Sequence, residues 1–255
     1  MFVARALGMS LVNPLVQLTF AFAPAIAGYA VRKWVTREGF GDAGLAPRLR
    51  AAWPHYLAAW LGPWALLGAS LAVAAAAGLW QPSLAPLGDV VPGLPGWGLV
   101  LALLLVVPLL TPVYWGEEFG WTGYLRLRLL PHRPVLSTVL TGLVWAVWHY
   151  PLAFLGYIEF DNVALGLLVW TVSFLFQEFL LSWLRIRGGS IWLPSLAHAG
   201  NNMVLSLLAG ALLTGGAGLG VMAVTLITAV PMAVLTAFIV LSGRFSAARA
   251  SAGPR

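Results

Sequence analysis

The chain has 255 residues, 60% hydrophobic and 9% charged, with a net charge of +6 and no cysteine. So little charge cannot cover a soluble domain, and apolar runs of about twenty residues match the thickness of a bilayer. The missing cysteine excludes disulfides, thiolate metal sites and a cysteine nucleophile. The bases are spread between apolar runs, which argues against a nucleic-acid surface and marks them as topology determinants facing anionic lipid.

In chain order the apolar runs predict seven spans, at roughly 9–31, 56–80, 97–127, 134–155, 162–184, 190–213 and 217–242. The fold class is all-α, a polytopic membrane helical bundle of about seven to eight transmembrane helices. No repeat and no long linker divides the chain, so 1–255 reads as a single membrane-embedded domain. The first run lacks a small-residue cleavage site after a short apolar core and is read as a retained helix. The third is too long for one straight crossing, and Pro108, Pro112, Gly116 and Gly120 predict a kink or break.

Charge alternates between the connecting loops. Arg32, Lys33, Arg37, Arg48 and Arg50 lie around the first loop, Arg126, Arg128 and Arg133 around the third, Arg185 and Arg187 around the fifth. Arg244, Arg249 and Arg255 lie in the tail, whereas the second and fourth loops carry Asp89, Glu159 and Asp161 without a base. This pattern predicts an N-terminus outside and a C-terminus in the cytoplasm, in a bacterial-type plasma membrane.

Ionisable groups inside spans are costly and mark functional sites. The third span holds Glu117-Glu118, the fourth ends in Trp145-Ala-Val-Trp-His149, and the sixth holds His198-Ala-Gly-Asn-Asn202. Counted from the basic flanks at about 1.5 Å per residue, Glu117 and His198 lie roughly 15–16 Å deep, and His149 and Asn202 roughly 20–22 Å. All four fall in one layer, and His198 and Asn202 share a helix face. Glu178, near the inner end of the fifth span, reads as structural, paired with a flanking arginine.

A carboxylate and an imidazole flanking one water can deprotonate it, while a second imidazole and an amide donate to an oxyanion. The same groups could instead bind zinc through Glu117, His149 and His198 with water in the open position. No HExxH is present, and no GxSxG surrounds Ser195. A proton-linked transporter is a third reading of buried Glu and His, although the paired broken helices common in transporters are missing.

The three segments resemble the CAAX-processing and bacteriocin-processing intramembrane proteases, the abortive-infection family, whose pattern is EExxxR, FxxxH and HxxxN on successive membrane segments. Glu117-Glu118 match the first motif, Trp145 to His149 the second with tryptophan for phenylalanine, and His198 to Asn202 the third. The resemblance covers about residues 97–210. It implies an intramembrane endopeptidase acting on a membrane-associated peptide, with Glu117 and His149 activating water and His198 and Asn202 forming the oxyanion hole. Glu118 would support them, and no cofactor is implied; zinc stays open as the alternative. Thr122 replaces the arginine of EExxxR, and Arg126, one turn further on, is the expected substitute. A non-catalytic immunity or scaffold protein on the same fold is the other reading.

Overall fold

The computed structural model describes residues 1–245; Arg249 and Arg255 lie outside them. Seven helices are long and apolar enough to cross a membrane: Leu15–Val35, Leu49–Ala76, Gly96–Arg128, Pro134–Phe154, Val163–Gly188, Trp192–Gly215 and Val221–Leu241. They are called the first to seventh spans. The described residues contain no strand, and the chain is an integral membrane protein.

The first span starts later than its hydropathy suggests because Asn13 caps it, accepting the Leu15 N–H at 2.9 Å. The third differs from expectation. It runs helical through Pro108 and Pro112 without a break, and its irregularity is a wide π-helical turn at Trp121–Leu125. Of the three other π-helical turns among the described residues, at Val31–Val35, Asn201–Ser206 and Gly210–Gly215, the one at Asn201–Ser206 follows the last motif's histidine. Such turns often mark functional segments of helices, and those at Trp121–Leu125 and Asn201–Ser206 sit at the ends of the first and last motifs.

The sixth span is the centre of the bundle: 67% of its apolar window is buried, against 28–39% for the others. It packs against the second, third and fifth spans. Small residues permit this closeness; a Cβ added at Gly200 would lie 2.5 Å from Pro63. The fourth span pairs with the fifth, and the first lies against the third.

The base-bearing loops meet at one end of the bundle, here termed the basic end. The Ile191 N–H donates to the Gly44 carbonyl at 2.9 Å. Arg32, wholly buried, donates to Asp42 at 2.8 Å and to the Gly123 carbonyl at 3.0 Å. Arg128 donates to Asp42 at 2.8 Å and to Glu38 at 2.6 Å. The loop between the first two spans is thus clasped onto the segment that carries the first motif. The bond from Arg128 holds the Glu38 carboxyl below its ordinary value. Burial works to raise that of Asp42, but hydrogen bonds from Arg128 and Arg32 outweigh it and the net direction is down.

Candidate active site

Glu117 and Glu118 stand between Gly116 and Gly120, and those glycines decide where they point. A Cβ at Gly116 would lie 2.8 Å from the Ala21 carbonyl oxygen, and one at Gly120 2.3 Å from the Pro24 Cβ. The first span therefore presses directly on this backbone face. The two glutamates turn into the bundle, where Glu117 keeps 6% exposure and Glu118 none.

Each carboxylate has its own partners, as a buried charge requires. Glu117 Oε2 accepts the indole N–H of Trp145 at 2.9 Å and that of Trp121 at 3.2 Å. Glu118 Oε1 accepts His198 Nδ1–H at 2.9 Å. Its Oε2 lies 2.9 Å from the Thr122 hydroxyl, whose single proton is shared with the Glu118 carbonyl oxygen at 3.0 Å. Thr122 thus anchors Glu118 from the position where the motif has arginine.

His149 donates Nδ1–H to the Trp145 carbonyl at 3.0 Å, which leaves Nε2 with the lone pair in the neutral ring. Its ring packs on Phe174, with centroids 4.7 Å apart. The Trp145 ring meets that of His198 edge-on at 5.1 Å. One residue therefore touches three of the expected groups: Glu117 through its indole N–H, His149 through its carbonyl, His198 through its ring. Asn202 joins through Tyr114: it lies near the Tyr114 hydroxyl, and the Tyr114 ring is 4.9 Å from that of His198. Glu117, His149, His198 and Asn202 are brought into one site, with Glu118 and Thr122 behind it.

Two expectations fail. Arg126 does not take the place of the missing arginine: its guanidinium makes no hydrogen bond to either glutamate among the described residues. It lies beyond the π-helical turn at Trp121–Leu125, within charge range of Glu178. Glu178 in turn forms no ion pair within 4.0 Å among the described residues; Ser182 donates to it at 2.7 Å. Sequence reasoning also passed over Trp121 and the indole of Trp145 as partners of Glu117, and Tyr114 beside His198.

A family model described as type II CAAX prenyl endopeptidase Rce1-like matches residues 95–204. That segment, less than half of the chain, is similar to an Rce1-like domain. That domain contains the third, fourth and fifth spans and the part of the sixth that holds His198 and Asn202, so every group of the site lies within it. The resemblance read from the three motifs names the same group of proteases over nearly the same residues. The Rce1-like domain leaves the first, second and seventh spans outside the match. No curated protein and no solved structure matches the chain.

Proposed function

We propose that the protein is an intramembrane endopeptidase that hydrolyses a peptide bond with a water activated by Glu117 and His149. The observation that carries this reading is the common anchor on Trp145, which fixes a carboxylate and an imidazole to one residue while leaving Glu117 Oε1 and His149 Nε2 unengaged by it. Glu117 takes a proton from the water as its oxygen attacks the peptide carbonyl carbon. The tetrahedral oxyanion is held by donors from His198 and Asn202. The proton passes to the amide nitrogen, the C–N bond breaks, and the products leave as carboxylate and amine.

The geometry adds a condition. His198 already donates Nδ1–H to Glu118, so it donates from Nε2 as well only when the ring carries both protons. Glu118 is the counter-charge that keeps the imidazolium in a dry site. Its part is to position and charge His198, while Glu117, slightly exposed, meets the water.

The domain's family description points to a prenylated C-terminal CAAX peptide as the first substrate to try; a bacteriocin leader or another membrane peptide is the wider class. The basic end faces the cytoplasm, with the N-terminus outside, in a bacterial-type plasma membrane. No cofactor is needed in this scheme. In the zinc alternative Glu117, His149 and His198 are ligands. Among the described residues no three His, Asp or Glu side chains converge as ligands would, and the Glu118 bond gives His198 a different task. The test is cleavage of these peptides by the protein in lipid nanodiscs. Glu117→Gln abolishes it and Asn202→Ala lowers it strongly, while chelators do nothing. Activity that dies on chelation and returns with zinc alone would sink the metal-free scheme, and a folded wild type inert on every peptide would favour the scaffold reading.

A further inference from the structure

Hydrolysis at the depth of Glu117 consumes one water per turnover, and lipid cannot supply it. Between the site and the basic end, three helices turn polar stripes toward one another. The third span offers Glu118, Thr122 and Arg126, each four residues apart. The fourth offers Ser137 and Thr141 with Thr138 beside them, and the fifth offers Glu178 and Ser182. Every one of these side chains is 8% exposed or less.

The stripes interlock. Ser137 donates its hydroxyl to the Arg126 carbonyl. A Cβ added at Gly142 would lie 3.2 Å from the Glu178 Cβ, so the fourth span rests on this glutamate, and Thr138 is one turn nearer the basic end. Glu178 is close enough to both Arg126 and Glu118 for their charges to act on it. Most hydroxyls here are engaged within their own helix: Thr141 donates to the Ser137 carbonyl and Ser182 to Glu178 Oε1. Three atoms of the wedge have no hydrogen-bond partner among the described residues, namely Glu178 Oε2, Arg126 Nε and Thr138 Oγ1. A buried carboxyl and a guanidinium within charge range of each other, each with an unpartnered polar atom, are costly unless something polar meets those atoms. Two to four polar partners in a closed space are what a buried water requires.

We propose that Glu178, Arg126 and Thr138 bind water, and that this wedge is the station through which water passes from the basic end to the glutamate pair. The supply role depends on the endopeptidase reading; the water site does not. The experiment keeps the two apart. Radiolytic hydroxyl labelling in heavy-oxygen water marks side chains beside bound water. Leu181, fully buried between Glu178 and Ser182, takes up label many-fold faster than Leu208 and Leu213, which are equally buried elsewhere. Glu178→Leu reduces that labelling to the control level and lowers kcat by about tenfold or more at unchanged KM, while Glu178→Gln, which still offers an oxygen, keeps most of both. Leu181 labelled no faster than the controls in the wild type overturns the water site. Wild-type kcat in Glu178→Leu overturns the supply role. Where Glu178→Leu fails to fold, wild-type labelling and the Gln variant decide. A wild type that labels Leu181 but cleaves nothing rejects the endopeptidase reading and leaves the water site standing.

Discussion

Glu118→Gln is the most discriminating change. Glu118 and His198 are 0% and 2% exposed and 2.9 Å apart, so water does little to screen the pair. Glutamine keeps the shape and an oxygen that can still accept Nδ1–H, so helix packing is unchanged. What it removes is the counter-charge. The ring then holds one proton, engaged at Nδ1, and Nε2 faces the oxyanion with a lone pair instead of a donor. Losing one oxyanion donor costs about 2.7–4 kcal/mol of transition-state stabilisation, or roughly 100–1,000-fold in kcat. KM stays nearly constant, because the oxyanion forms only after binding. The assay is steady-state cleavage of a quenched prenylated peptide in nanodiscs, with melting followed in parallel. A folded Glu118→Gln protein whose kcat stays within a few-fold of wild type refutes the assignment, since His198 would then need no charged partner.

Trp145→Phe removes the shorter of the two donors to Glu117 and leaves the Trp121 bond at 3.2 Å. A hydrogen bond to a charged group contributes about 1.5–3 kcal/mol, so kcat/KM should fall roughly 10- to 100-fold in the same assay, and Trp121→Phe should do less harm. The clasp at the basic end should depend on pH. Glu38 and Asp42 are both held below their ordinary values, so their contribution is complete above the usual carboxylate range and is lost as pH falls below about 4. Thiol labelling of a Gly41→Cys variant should accelerate over that window, and Asp42→Asn should show the faster rate already at neutral pH; a flat profile contradicts the linkage. A reporter fused after Arg255 should be active only in its cytoplasmic form, and an external signal reverses the orientation.

The bilayer explains what the sequence made legible. Spans are long apolar runs, and seven of them were plain. A charged group in such a run has few innocent explanations, which is why Glu117, His149 and His198 stood out. Of the kink or break expected around Pro108 and Pro112, the break does not occur, because a helix ending in lipid would strand far more backbone groups than the prolines do. The aromatic partners were hidden for another reason. Thirteen tryptophans and six tyrosines occur in the chain; nothing in their spacing singles out Trp121 and Tyr114, and the motif that marks Trp145 says nothing of its indole reaching Glu117. Arg32 was read as a topology residue, yet it is fully buried. The signal for it was available: Glu38 and Asp42 are the only acids in an otherwise basic loop. Arg126 was misplaced because a π-helical turn adds a residue to the helical repeat, and hydropathy does not report such turns.

The seam beside the first span has a consequence for how the protein fails. None of the buried residues of the main core comes from that span; its apolar contacts fall in two small separate clusters, one around Ala25 and Phe119 and the other around Leu11, Val16 and Leu152. A cleft of about 440 Å³, lined by Ile26, Tyr29 and Trp115 among others, already opens along the seam. Heating should therefore peel this helix away while six others stay packed, since weakly joined units open first. The glutamate-bearing helix would then meet lipid on its glycine face with nearly all helicity retained. Far-ultraviolet circular dichroism would report an intact protein well above the temperature at which catalysis stops, and detergents that wedge into the cleft would widen that gap.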